Sequence, residues 1–278
     1  MKLCFIVLAL AVPMLSQEQP ADLDSSYESL KAAVEKKDAA EVRKYAAQAS
    51  EIAHKVIAGD DKDRIEHAKE IQKYAEYALS ATALASTDSK TVMELTEMLE
   101  QQNPKSEYLT QVLSKYSAAA RQAGHPEKAV ALAEKVAKSD PSNTEALLVV
   151  AEANLAKRPA VASDYASRAA GILSKKKGDE ASLGRANYDA GLAYGAQEKW
   201  PQTNQSLQAA LPTLKGNQQA MGYALFYLGM ANYRLGTITL NKAQMKQALN
   251  YFEQCAAIPG PMQAQASQNV SAIRQQVR

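Results

Sequence analysis

The sequence predicts an all-α protein made of antiparallel helical hairpins, and three observations lead to that prediction. Apolar residues recur at helical spacing along nearly the whole chain, for example from Val42 to Ile57 and from Ile65 to Ala83. No stretch alternates apolar and polar residues as a half-buried strand would. Hydrophobic residues make up 46% of the chain but aromatic residues only 6%, and the abundant alanine favours closely packed helices.

Capping residues, glycines and prolines divide this pattern into short helices. The first four helices are predicted from a cap at Asp24–Ser26 to Lys37, from Asp38 to Gly59, from Asp63 to Ala85 and from Asp88 to Gln102. The pair Asn103-Pro104 predicts the start of a fifth helix, because Asn is a good N-cap and Pro fits the first helical position. That helix is expected to end at Gly124.

The same signals place the remaining helices. Their expected boundaries are, in order, a start at His125-Pro126, a stop before Asp140-Pro141, a cap at Ser142, a separation at Arg158-Pro159, a stop at Lys175–Gly178, and breaks near Glu198, Gly216, Gly236 and Pro259–Pro261. Because the turns are short, consecutive helices should lie antiparallel and stack in sequence order.

Pairs of these helices share a pattern of large and small residues. The pattern reads Ala190-Gly191, Tyr194, Trp200, Thr203, Leu207 and Ala210-Leu211 in one pair, Leu228-Gly229, Gly236, Ala248-Leu249, Phe252 and Cys255 in another, and Leu113, Tyr116, Gly124, Ala129, Ala133, Val136 and Pro141 in a third. It resembles the tetratricopeptide repeat, in which two helices pack through residues at fixed offsets. The resemblance is best over residues 184–211 and least over residues 22–102.

The resemblance implies a right-handed superhelical array of hairpins whose first helices line a groove for a peptide or partner protein. On that basis we expect divergent repeats or a cap over residues 22–102, repeats over residues 103–260 and a capping helix over residues 261–278. The groove-facing positions that the resemblance selects are Gln111, Ser114, Arg121, Glu145, Glu152, Arg185, Tyr188, Tyr223, Phe226, Tyr233 and Arg234. The competing interpretation is that the aromatic members pack between helices.

The N-terminal residues resemble an export signal. Lys2 precedes an apolar run from Leu3 to Leu15, which polar residues then interrupt. The run is shorter than a bilayer span requires, so a cleaved signal over residues 1–16 is favoured over an anchor, with a cleavage site near Ala21 as the alternative. We therefore expect an exported protein, periplasmic or secreted, without membrane insertion after signal removal.

Charge bears on the class of partner. The net charge is only +2, which gives no drive toward nucleic acid. It is unevenly distributed, with −7 over residues 17–100 and +5 over residues 201–278. The resemblance makes a protein or peptide partner the first hypothesis, and the uneven charge makes a self-associating component of an envelope complex the alternative.

The sequence offers no constellation for catalysis. His54, His67 and His125 lack the spacing of a metal site, and Cys255 has no histidine near it in sequence. We therefore expect no catalytic residues, no metal and no cofactor, and the hypothesis of an enzyme with an unrecognised site ranks last.

Overall fold

The computed structural model of this protein describes residues 22–176 and 178–276, and within them it is helical, without strands. The helices are α1 Leu23–Lys36, α2 Ala39–Ile57, α3 Lys62–Ala85, α4 Ser89–Gln102, α5 Glu107–Gln122, α6 Pro126–Ser139, α7 Thr144–Asn154, α8 Pro159–Leu173, α9 Glu180–Ala196, α10 Trp200–Ala210, a 3-10 helix Leu211–Leu214, α11 Gln218–Thr239, α12 Lys242–Ala256 and α13 Gln263–Gln276. The predicted all-α class is confirmed. The predicted signal over residues 1–16 lies outside the described residues.

The chain forms two compact units, and the boundary falls between Ala78 and Leu79, inside α3. The sequence had suggested a change of character later, at residue 102. In the first unit, α1 packs on α2, and alanines such as Ala49, Ala53 and Ala68 form a core with Leu23 and Ile71.

The second unit is a stack of consecutive antiparallel helices. From α4 to α13, each helix packs on the next, so the sequential stack of hairpins that the sequence predicts is confirmed. In addition, α5, α7, α9 and α11 contact one another in succession. We call these four helices, each the first of its hairpin, the first-helix row.

Glycines set the distance between the paired helices of this stack. A Cβ on Gly191 would lie 2.5 Å from two carbons of the Leu207 side chain, and a Cβ on Gly229 would lie 2.8 Å from the Phe252 ring. Both glycines are therefore required for the close approach of the second helix. The pairing of a small residue with a bulky one, expected from the sequence, is present at both positions.

Four predicted boundaries are wrong. Asp22, and not a residue of Asp24–Ser26, caps α1 by accepting from the Ser25 amide. Asn103 ends α4 instead of starting α5, because its side chain accepts from the Lys105 amide in a local turn and Ser106 supplies the cap. Asn143, not Ser142, caps α7. The helix does not break at Gly236: α11 continues to Thr239, since the glycine there admits α12.

Several other boundaries follow the sequence signals. Asp38 caps α2 by accepting from the amides of Ala40 and Glu41, and Asp88 caps α4. Prolines occupy the first turns of α6 and α8, as their fixed φ allows. Among the described helices, none combines the length and apolar character needed to cross a bilayer.

Candidate functional site

Charged side chains from three helices of the first-helix row meet in one chain of ion pairs. Glu152 on α7 contacts Arg121 of α5 at 3.3 Å through one carboxylate oxygen and Arg185 of α9 at 2.7 Å through the other. Arg185 also contacts Glu145 at 3.5 Å. The structure thus brings together four of the residues that the sequence selected as groove-facing, although they come from three different hairpins.

These four side chains are partly open to solvent, and Glu145 is the most covered of them. The burial of Arg185 opposes its charge, but the attraction of Glu145 and Glu152 outweighs that effect and raises the pKa of Arg185. Exposed ion pairs contribute little to stability, typically about 0–1 kcal/mol. The network therefore fixes the charges in place on the surface more than it stabilises the fold.

A buried carboxyl group lies beside this network. Asp189 stands one helical turn after Arg185 on α9 and is only 4% exposed, and its Oδ2 atom has no hydrogen-bond partner among the described residues. Burial raises the pKa of Asp189 to about 7, Arg185 acts in the opposite direction, and Glu152 adds to the rise. No local sequence signal distinguishes Asp189, because the burial of its side chain depends on the neighbouring hairpins.

The aromatic members of the predicted site differ in their surroundings. Phe226 is 7% exposed and packs edge-on against Phe252 and Tyr227 at ring distances of 5.7 and 5.8 Å. It belongs to the core, so the competing interpretation holds for this side chain and the groove-facing one does not. Tyr188 and Tyr223 are half-buried on adjacent helices, and burial raises the pKa of the Tyr188 hydroxyl.

Tyr233 and Arg234 lie on the part of α11 that faces the last helix. The Tyr233 hydroxyl donates to the side-chain oxygen of Gln276 at 3.1 Å. Both residues line a cavity of about 240 Å³ that Asn269 and Ile273 of α13 complete. The C-terminal helix thus covers the surface next to these two residues, and they lie apart from the ion-pair network.

The two remaining predicted positions, Gln111 and Ser114, are exposed on α5. The same helix borders a cleft of about 610 Å³ between α5, α6 and α7, whose edge carries Arg121 and Glu152 and whose wall includes Val130 and Val149. Ser117, which also lines this cleft, has a buried hydroxyl without a hydrogen-bond partner in the part of the chain that the structure describes. The cleft combines charged edges with an apolar wall.

The residues considered for chemistry are placed as follows. His67 contacts Asp24 at 2.7 Å, and His54 contacts the Gln72 amide at 2.8 Å. Within residues 22–176 and 178–276, no three His, Cys, Asp or Glu side chains are grouped as metal ligands would be. Cys255 is buried, with its sulfur 3.2 Å from the Gly222 carbonyl oxygen, and burial raises the pKa of the thiol to about 11.

Comparisons with known proteins show likenesses in structure but none in sequence. No family model matches the chain, and no curated protein matches it in sequence. Among solved structures, the chain is similar to the crystal structure of MamA protein, with 17% sequence identity and a TM-score of 0.46. That match covers 68% of this chain and 98% of the other.

Proposed function

We propose that this protein is a non-catalytic scaffold whose first-helix row binds an extended segment of a partner protein. The observation that supports the proposal most directly is the chain of ion pairs from Arg121 through Glu152 and Arg185 to Glu145. It presents both signs of charge at fixed positions across three successive hairpins. A peptide lying across the row can exchange these contacts for its own charged groups.

The cleft beside the network supports the same proposal. Its volume of about 610 Å³ lies in the range of ligand-binding clefts, and it can receive an apolar side chain of the bound segment. Tyr188 and Tyr223 extend the surface toward α11 with partly exposed rings. Tyrosine and arginine are the side chains that most often carry binding energy at interfaces.

The experiment that tests this proposal compares partner binding by two variants, one with two arginines of the network replaced and one with a control arginine replaced. The partner is first captured from the native cells and purified, and its affinity is then measured by calorimetry. An Arg121→Gln, Arg185→Gln variant should weaken binding by about tenfold or more, because each substitution removes a cation that carboxylates of the bound segment would contact. Arg168→Gln is the matched control, since Arg168 pairs with Asp164 on α8, outside the first-helix row.

Two results would contradict the proposal. If the double variant keeps the fold by circular dichroism and binds as tightly as the wild type, the first-helix row is not the binding surface. If it binds more weakly and the Arg168→Gln variant does so equally, the effect is one of overall charge and the proposed surface is rejected.

The uneven charge favours self-association as a second candidate function. The −7 of residues 17–100 and the +5 of residues 201–278 would attract each other between copies. Sedimentation velocity at low and high salt tests this, since such contacts weaken when screened. A monomer at both salt concentrations would reject the candidate.

We also propose export through the signal over residues 1–16. N-terminal sequencing of the mature protein from the native cells tests this. Cleavage near Ser16 or Ala21 supports export, and an intact N-terminus argues against it.

A further inference from the structure

The hairpin of α11 and α12 extends beyond its neighbour. In the α9–α10 hairpin, Gly191 contacts a residue 16 positions later, Leu207, whereas Gly229 contacts Phe252, 23 positions later. The additional seven residues lengthen the helices and not the turn, since α11 continues ten residues past Gly229 while α9 continues five past Gly191. At 1.5 Å per residue, α11 projects about 7 Å further.

The end of this projection is apolar and open to solvent. Ile238 is 75% exposed and Leu240 is 83% exposed. The hydroxyls of Thr237 and Thr239 donate at 2.8 Å to the carbonyls one turn earlier in α11. Because these hydroxyls are engaged within the helix, the two threonines add little polarity to the surface of the tip.

The backbone conformation of Leu240 gives no local reason for a leucine with an exposed side chain. Leu240 ends α11 with φ +54°, in the left-handed region that favours glycine or asparagine. A leucine there has an unfavourable backbone conformation and buries little of its side chain. Neither the helix end nor the core therefore accounts for a leucine at this position.

Positively charged residues precede and follow the tip along the chain. Arg234, Lys242 and Lys246 are exposed on the two extended helix ends. From Lys199 to Phe252 the sequence contains no aspartate or glutamate. The tip thus combines two exposed aliphatic side chains with three cations. The part of its hairpin from the start of α11 to Phe252 contains no carboxylate.

We propose that the tip of the α11–α12 hairpin docks on an anionic phospholipid surface. Ile238 and Leu240 enter the boundary between headgroups and acyl chains, and Arg234, Lys242 and Lys246 contact the phosphates. A lipid surface needs no complementary shape, and it therefore suits a projecting tip with nearly full exposure. This contact is peripheral and goes beyond the peptide-binding function, because it uses none of the residues of the ion-pair network.

Vesicle co-sedimentation of the full chain tests the proposal. Vesicles of phosphatidylcholine are compared with an equal mixture of phosphatidylcholine and phosphatidylglycerol. The wild type should bind the anionic vesicles selectively, and an Ile238→Gln, Leu240→Asn variant should lose about tenfold or more of its partition, since apolar burial and charge both contribute. Asparagine tolerates the left-handed backbone, so this variant is compatible with the helix end.

Two further variants complete the design. Lys242→Gln, Lys246→Gln should reduce binding to the anionic vesicles and its sensitivity to salt, while Leu84→Gln, a change at another exposed aliphatic residue, should leave binding unchanged. Circular dichroism establishes that each variant is folded.

Three outcomes would overturn the proposal. The first is equal binding of the wild type to neutral and anionic vesicles, or none to either. The second is unchanged binding by the folded Ile238→Gln, Leu240→Asn variant. The third is that the same variant binds vesicles as the wild type does but no longer self-associates in sedimentation without vesicles. That result would identify a second copy of the chain as the occupant of the tip.

Discussion

Replacing Asp189 by asparagine should make the second unit more stable at pH 8 and remove much of its pH dependence. The substitution keeps the shape of the side chain but takes away a charge that is buried without a hydrogen bond at Oδ2. The wild type must remove that charge from water when it folds at pH 8. The variant has no such charge to remove.

The magnitude follows from the pKa values. Burial raises the pKa of Asp189 from its ordinary 3.8 to about 7. A difference of roughly three pKa units, at 1.36 kcal/mol each, corresponds to about 4 kcal/mol at pH 8. This difference already includes the attraction between Asp189 and Arg185, but the amide of the variant needs hydrogen-bond partners of its own. The expected net gain in the free energy of unfolding is therefore about 2–3 kcal/mol.

The direction of the pH dependence is set by where the proton is held. Between about pH 4 and pH 7, the folded protein keeps a proton on Asp189 that the unfolded chain has released. The contribution of Asp189 to stability therefore falls as the pH rises through this window and stays constant above it. The asparagine variant should lack this contribution, so its stability relative to the wild type should rise with pH, from about 1–2 kcal/mol below the wild type at pH 4 to about 2–3 kcal/mol above it at pH 8.

Urea unfolding followed by circular dichroism, at pH 5 and pH 8, measures this difference. Asp164→Asn is the matched control, because Asp164 is exposed on α8 and its replacement should change the difference between the two pH values very little. All other side chains are common to the three proteins, so their contributions cancel in the comparison. Equal stability of wild type and Asp189→Asn at pH 8, or the same change between pH 5 and pH 8, would refute the reasoning.

Three further predictions concern packing, capping and the buried thiol. Gly191→Ala should lower the free energy of unfolding of the second unit, measured in urea, by about 1–3 kcal/mol, because the new Cβ would overlap Leu207. The control Gly171→Ala has open space around the new methyl group and should be neutral or stabilising. Equal losses of stability in the two variants would contradict the packing argument. Asp38→Ala should lower thermal stability by about 1 kcal/mol through the lost cap of α2, and an unchanged melting temperature would argue against it. Cys255 is buried and its pKa is raised, so it should resist thiol labelling at pH 7.5 until urea unfolds the chain. Mass spectrometry of the labelled peptide measures the extent of labelling. Fast labelling of the folded protein would contradict the prediction and show that the site opens.

Most of the helix boundaries could be predicted from local sequence, and the exceptions have local reasons. Asp38 and Asp88 are caps in the sequence and in the structure, because an N-cap needs only the two or three amides that follow it. Asn103 and Ser142 are not the caps predicted for α5 and α7, because another capping residue, Ser106 or Asn143, stands one to three positions later. Gly236 was read as a break, although its contact with Met245 shows that it serves helix packing.

The candidate site depended more on the tertiary structure. The resemblance selected Arg121, Glu145, Glu152 and Arg185 one helix at a time, and the structure joins them into one network. The same resemblance placed Phe226 on the groove, where the structure buries it, since sequence spacing does not distinguish an aromatic residue that faces a groove from one that faces the next helix.

The sequence by itself determined the helical class, the stacking of hairpins and most caps, because periodicity and capping act over a few residues. The tertiary structure alone decided that Asp189 is buried beside a charged network and that Ile238 and Leu240 are exposed at a projecting tip. These properties depend on which helices cover a side chain and which stop short of it. Burial is the sum of contacts from residues far apart in sequence, and for that reason it is set only when the hairpins have packed.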